Sequence, residues 1–186
     1  METDRDIVLG LRSGSPGAFE ELYRRYRDRI WRFLARLAGD TALAEDLFQE
    51  TWLAAARHAH LLREDTALAR WLYTIAHNKL RNAGRFRAME GRKRAALGAC
   101  SQDGARAPED AIAAGLDAAR VNAAMAKLPE AFREVITLCA CEGLGADDAA
   151  AVLDITPEAA RKRLSRARAA LAALMDERPR DERRLR

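Results

Sequence analysis

The sequence predicts an all-α protein made of two small helical domains joined by a flexible linker. Three observations carry this prediction. Aromatic residues are only 6% of the 186 residues while Ala, Leu and Arg abound, a balance that favours helix over strand. Apolar residues recur at spacings of three and four through two long blocks, and no strand-like alternation or internal repeat stands out. Between the blocks, residues 91–107 lose that periodicity and gather Gly, Ser and charge ahead of Pro108. The expected division is therefore a first domain over residues 1–90, a linker over 91–107, a second domain over 108–175 and a frayed tail over 176–186.

In chain order, a short opening helix is followed by Ser15-Pro16, a helix start signal. The second helix then carries Phe19, Leu22, Tyr23, Tyr26, Ile30, Phe33, Leu34 and Leu37 and ends near Gly39. A third helix is expected from Ala42 to about Arg57 and a fourth from Thr66 to about Arg87, connected by HLLRED. In the second block, Leu128-Pro129-Glu130 marks a helix start before Phe132, Val135, Ile136 and Cys139. Ala149, Val152, Leu153 and Ile155 give the next helix its packing face, and Asp154 suits a left-handed turn position. Thr156 can cap the last helix, with Pro157 at its first position, where the missing N–H costs nothing.

That last helix is loaded for DNA. Ala160, Leu164, Ala167 and Leu171 form an apolar stripe, while Arg161, Lys162, Ser165, Arg166 and Arg168 lie mostly off it. Between Thr156 and Arg168, five basic residues face a single acid, Glu158. Two short helices joined by a tight turn, the second one cationic, follow helix-turn-helix logic. A second basic cluster lies in the first block, where seven basic residues and one acid, Glu90, fall between Lys79 and Arg94, directly after Trp71, Leu72, Tyr73 and Ile75. Cations beside aromatic rings suit single-stranded nucleic acid. The same apolar residues also suit a core, and an Arg-rich helix also suits a solvated face.

Composition narrows the class. With 49% hydrophobic and 32% charged residues, the chain can bury cores and stay soluble. A net charge of +4 and a pI near 9.2 are mildly basic, so the clusters matter more than the total. The start METDRDIVLGLRSG lacks a signal peptide's basic and apolar regions, and no run approaches membrane-spanning length, so a cytoplasmic protein without membrane insertion is expected. Cys100, Cys139 and Cys141 form neither an even disulfide framework nor a Cys-x-x-Cys pair and are read as small core residues.

Three segments, taken together, resemble the extracytoplasmic-function group of bacterial sigma-70-family RNA polymerase sigma factors. Ala44-Glu45-Asp46-Leu47-Phe48-Gln49-Glu50-Thr51-Trp52 is similar to the region-two helix that docks on the β′ clamp helices. Trp71-Leu72-Tyr73-Thr74-Ile75-Ala76-His77-Asn78 is similar to the motif that precedes promoter melting. Leu128-Pro129 through Arg168, with Glu142-Gly143-Leu144 and Arg163-Leu164-Ser165-Arg166-Ala167, is similar to region four. The likeness spans about residues 5–172.

The resemblance implies a non-enzymatic protein without cofactor or metal. Its implied partners are core RNA polymerase, through the β′ clamp helices and β flap, promoter DNA and an anti-sigma factor. Polymerase docking would fall to Glu45, Asp46, Phe48, Gln49, Glu50 and Trp52. Recognition and melting of the −10 element would use Trp71, Asn78, Lys79, Arg81, Asn82 and Arg85 with the HLLREDTA loop, since Asn offers a base edge both donor and acceptor. Reading of the −35 element would use Arg161, Lys162, Arg163, Ser165, Arg166 and Arg168, in which bidentate Arg contacts specify and the remaining cations hold phosphates. The chain departs from the family pattern at Gly145, Ala146, Asp147, Asp148 and Ala149, where many relatives have a bulky aliphatic residue and a Glu pair, and at Leu68, where an aromatic is frequent.

Two other classes fit parts of the sequence. A stand-alone helix-turn-helix regulator with an N-terminal dimerisation or ligand domain accounts for residues 142–168 but leaves AEDLFQETW and WLYTIAHN unexplained. A metal-dependent enzyme built on His58, His60 and His77 lacks a His-Glu-x-x-His or phosphate-loop motif, and His58 and His60 are opposed on a helix.

Overall fold

Thr3 opens the first helix, α1 (Asp4–Arg12), with a reciprocal cap: its hydroxyl accepts from the Asp6 N–H at 3.2 Å, and the Asp6 carboxylate accepts from the Thr3 N–H at 2.9 Å. The computed structural model describes residues 3–96 and 116–176, which fall into two units, Met1–Pro108 and Glu109–Arg186. Every regular element among the described residues is helical.

In the first unit, α1 buries Ile7, Val8 and Leu11 against α2 (Pro16–Ala38). Gly10 permits the approach: a Cβ there would lie 2.5 Å from the Ala18 Cβ. Pro16 starts α2, and Gly39, at φ 69°, ends it. Asp40 then caps α3 (Thr41–His58) by accepting from the Ala42 N–H at 3.0 Å, and a 3₁₀ turn (Ala59–Leu61) follows. The last helix is α4 (Leu68–Ala96), which buries Leu68, Leu72, Tyr73, Ala76 and Leu80. Phe33 of α2 meets Tyr73 of α4 edge-on, with ring centroids 5.2 Å apart. Together with Leu22, Ile30 and Leu34, which are fully buried, this pair forms the centre of the core.

Two boundaries differ from the sequence reading. Thr66 does not begin α4: its hydroxyl accepts from the Arg63 N–H at 3.0 Å and its own N–H donates to the Arg63 carbonyl, so it closes the preceding loop. At the other end α4 runs on to Ala96, into the segment read as linker. Ala, Met, Arg and Lys dominate there and propagate a helix through local propensity, with Gly91 the main exception. Residues 97–115, which hold the rest of the predicted linker and Cys100, lie outside the described residues, as does the tail from residue 177.

The second unit comprises α5 (Leu116–Lys127), α6 (Glu130–Ile136), a π-helical turn (Thr137–Cys141), α7 (Ala146–Leu153) and α8 (Pro157–Asp176). Leu128, Val135, Ile136, Leu138, Val152 and Leu153 supply its larger core side chains. Arg133 ties α6 back to α5, donating from Nη1 to the carbonyls of Ala126 and Leu128 at 3.1 and 3.0 Å. The cysteine reading needs correction. Cys139 is half-buried, and burial pushes its thiol pKa up, but Cys141 is exposed, since two residues further along a helical turn it points to the opposite side.

Asp40 joins two elements, since it caps α3 and pairs with Arg87 of α4 at 3.0 Å. The Arg87 guanidinium first, and the Ala42 N–H second, hold its carboxyl below the usual range. A lowered folded-state pKa stabilises above the unfolded value of about 4 and ceases to do so as pH falls through the folded value. Asp40→Ala is thus expected to lower the thermal midpoint at neutral pH, with the gap to wild type narrowing on acidification. Melting followed by circular dichroism at several pH values checks this, and a gap that widens in acid would contradict it.

Candidate nucleic-acid and protein interfaces

The helix-turn-helix of the second unit is formed by α7, its turn and α8. Asp154 ends α7 in the left-handed conformation, at φ 56° and ψ 48°, as its short polar side chain allows. Two residues on, the Thr156 hydroxyl accepts from the Ala159 N–H at 3.2 Å and caps α8. α7 buries Ala149, Ala150, Val152 and Leu153, so of the positions that depart from the family pattern Ala149 faces the core, while Gly145 and Asp147 are exposed and Ala146 and Asp148 half-buried. On α8, Ala160 and Ala167 are buried and Leu164 and Leu171 half-buried, which orients the helix.

Arg161, Lys162, Ser165, Arg166 and Arg168 are all exposed as a result. Arg163 is half-buried on the flank of the packing side, because it lies one residue before Leu164. Arg161 Nη1 lies 2.6 Å from Asp147 Oδ1 of α7, and Lys162 Nζ lies 2.6 Å from Glu158 Oε1. Arg166 makes no ion pair among the described residues.

In the first unit, one side of α4 carries Trp71, Asn78, Asn82 and Arg85 at spacings of seven, four and three, a single helical face. Asn78, Asn82 and Arg85 are exposed, and Trp71, Lys79 and Arg81 are half-buried. Phe86 and Met89 extend this face and are 58% and 45% exposed, an apolar surface among cations that the sequence reading missed. Its signal was there to find, since Phe86 follows Asn82 by four and Met89 follows Arg85 by four. Leu62 is buried and anchors the loop before α4, while Leu61 is 65% exposed. Glu64 of that loop is met by Arg12 at 3.2 Å and Arg5 at 3.4 Å, both from α1.

On α3, Asp46, Gln49 and Glu50 are exposed at helical spacing, with Glu45 beside them. Leu53 completes this stripe three residues after Glu50 and is 56% exposed, a further residue the sequence reading left out. Trp52, expected on the docking surface, is instead buried. It packs on Tyr23 and Phe19 of α2 at centroid distances of 4.7 and 6.0 Å, and on Phe48 at 6.2 Å. Its large apolar ring is held by that aromatic cluster and supports the surface from beneath. Phe48 is half-buried and also meets Trp31 of α2 at 5.8 Å. Lys79 of α4 pairs with Glu50 of α3 at 2.9 Å, so the acidic stripe and the cationic face touch. Exposed pairs of this kind contribute about 0.2–1 kcal/mol, so either partner can be drawn away at little cost.

His58 and His60 are exposed and His77 is buried. Among the described residues no group of three His, Cys, Asp or Glu is placed to hold a metal ion, and no helix is long and apolar enough to cross a membrane.

Comparison with known proteins decides between the readings. The pattern described as Sigma-70 region 2 matches residues 22–89, and that described as Sigma-70, region 4 matches residues 118–171. The RNA polymerase sigma factor CnrH of Cupriavidus metallidurans is 32% identical over 184 residues, covering 94% of this chain and 95% of that one. The ECF RNA polymerase sigma factor SigL of Mycobacterium tuberculosis is 32% identical over 178 residues, covering 91% and 96%. The chain belongs to the extracytoplasmic-function sigma factors.

Solved relatives of this sigma factor share its fold. CnrH in complex with the cytosolic domain of CnrY matches with a TM-score of 0.71 at 31% identity, covering 96% of this chain and all of that one. The sigma factor RpoE in complex with the anti-sigma factor NepR, from Bartonella quintana, matches with a TM-score of 0.74 at 27% identity, covering 86% and 98%. In this sigma factor α1 precedes the segment matched as region 2, and its Arg5 and Arg12 nonetheless reach the loop before α4.

Proposed function

We propose that this sigma factor binds core RNA polymerase in the cytoplasm, directs it to a small class of promoters and performs no catalysis of its own. The observation that carries the reading is the placement of an acidic and polar stripe ending in Leu53 directly beside the cationic, aromatic face of α4. Polymerase docks on Glu45, Asp46, Gln49, Glu50 and Leu53, over the support given by Phe48 and Trp52. The opened −10 strand lies along Trp71, Asn78, Lys79, Arg81, Asn82 and Arg85, where amides read base edges and cations meet phosphates. Phe86 extends that track as a stacking surface. The −35 duplex is read by Arg161, Lys162, Ser165 and Arg166 of α8, while Arg163 and Arg168, on its flanks, face phosphates.

An anti-sigma factor that covers these faces completes the proposal, supported by the solved relative bound to the anti-sigma factor NepR. The deciding experiment adds purified protein to sigma-free core polymerase and seeks run-off transcripts from a genomic fragment library. Discrete new transcripts are expected; failure to bind core alongside tight duplex binding alone would point to a stand-alone regulator. Arg166→Ala is expected to relax selection at one −35 base pair by about tenfold while leaving core binding at the wild-type level. A parallel loss in both assays would overturn the assignment of Arg166.

A further inference from the structure

The outward side of α8 is not a plain row of free cations, and its two acid–base pairs differ in kind. Glu158 precedes Lys162 by four residues on the same helix, the spacing at which any helix brings an acid and a base together. Asp147 reaches Arg161 from a different helix, α7, across the turn. Its side chain is 75% exposed and that of Arg161 58%, so the pair contributes little to folding. An acid set against a DNA-facing cation also opposes phosphate binding. What the pair does supply is geometry. A guanidinium has five N–H donors in one plane; with Nη1 engaged by Asp147, the edge formed by Nε and Nη2 stays available, and such an edge matches O6 and N7 of guanine.

We propose that Asp147 is a positioning residue for base readout: it holds Arg161 Nη1 across the helix-turn-helix so that Nε and Nη2 present a planar edge to one guanine of the −35 element. The cost is a weaker general attraction to DNA, and the gain is discrimination at one base pair. Arg166, with no ion pair among the described residues, is the internal contrast: it can reach a base edge too, but no protein group fixes its orientation in advance. The inference rests on the reading of α8 as the helix that faces the −35 duplex.

The test uses holoenzyme reconstituted from the full chain and core polymerase on a promoter library randomised across the −35 element, with run-off products sequenced. Wild type is expected to prefer guanine about tenfold at the Arg161 position. Asp147→Ala should flatten that one preference to about threefold or less, leave the other positions unchanged and raise overall binding at low salt. Asp147→Asn, which keeps the shape without the charge, should fall between, and Asp147→Glu should restore part of the preference. In an Arg161→Ala background, Asp147→Ala should change no position, because the two residues act through one contact. A uniform change across all sequences, with guanine still preferred, would overturn the positioning role and leave the α8 reading intact. If Arg161→Ala itself alters no preference, the assignment of Arg161 fails and the role of Asp147 falls with it.

Discussion

Phe33→Ala is expected to remove about 3–5 kcal/mol of stability from the N-terminal unit, the largest effect of any change considered. Phe33 is fully buried on α2 and meets the fully buried Tyr73 of α4 edge-on at 5.2 Å. Truncation removes the ring's transfer from water and its edge-on contact, and it leaves a cavity that rigid neighbouring helices cannot close. A domain of this size is stable by about 5–15 kcal/mol in all, so the variant should lie near the limit of folding and melt roughly 15–30 °C lower. Phe33→Leu keeps most of the volume and should cost about 1–1.5 kcal/mol. Urea and thermal unfolding monitored by circular dichroism measure both. An Ala variant as stable as wild type would mean that α2 and α4 do not pack around this ring.

Leu53→Asp is expected to weaken binding to core polymerase by tenfold or more and to leave folding unchanged. The side chain is 56% exposed on α3 and completes the stripe of Asp46, Gln49 and Glu50, so it has little core packing to lose. Burying a leucine at an interface contributes about 1.5–3 kcal/mol, equivalent to roughly tenfold to a hundredfold in affinity, and a carboxylate there would have to be desolvated as well. Asp46→Ala with Gln49→Ala removes rim contacts and should weaken core binding by a few-fold while −35 selection is preserved. Competition with labelled wild-type protein for core polymerase ranks these variants, with Leu53→Met as the conservative control. If Leu53→Asp competes as well as wild type, polymerase does not use this face of α3.

The contrast between these two residues shows where sequence reading succeeds. Phe33 was legible as core because Ile30, Phe33, Leu34 and Leu37 repeat at three and four, and a helix can bury such a stripe in only one way. Leu53 was not, because AEDLFQETWLAAA holds apolar residues on more than one side of its helix. Trp52 and Leu53 are adjacent, and periodicity alone does not decide which is inward. The aromatic cluster of Phe19, Tyr23 and Phe48 claims Trp52 and turns Leu53 outward. Cys139 and Cys141 pose the same difficulty: two apart on a helical turn they point to opposite sides, and only packing decides which of them is inward.

Local chemistry, written into the sequence, determined the all-α class, the helix starts at Pro16 and Pro157, the left-handed stop at Asp154, the two basic clusters and the motifs that place the chain in its family. The helix starts, the left-handed stop and the clusters depend on residues within a few positions of one another, and the class and motifs on patterns read directly along the chain, so capping, backbone sterics and helical period suffice. Only the tertiary structure decided that Asp147 meets Arg161, that Lys79 meets Glu50, that Arg5 and Arg12 meet Glu64 and that Trp52 is buried while Leu53 is not. Those partners lie 14, 29, 59 and 52 residues apart along the chain. Which charges and rings meet across such separations is set by how helices pack, since burial of the apolar faces fixes their rotation and carries the polar residues into place.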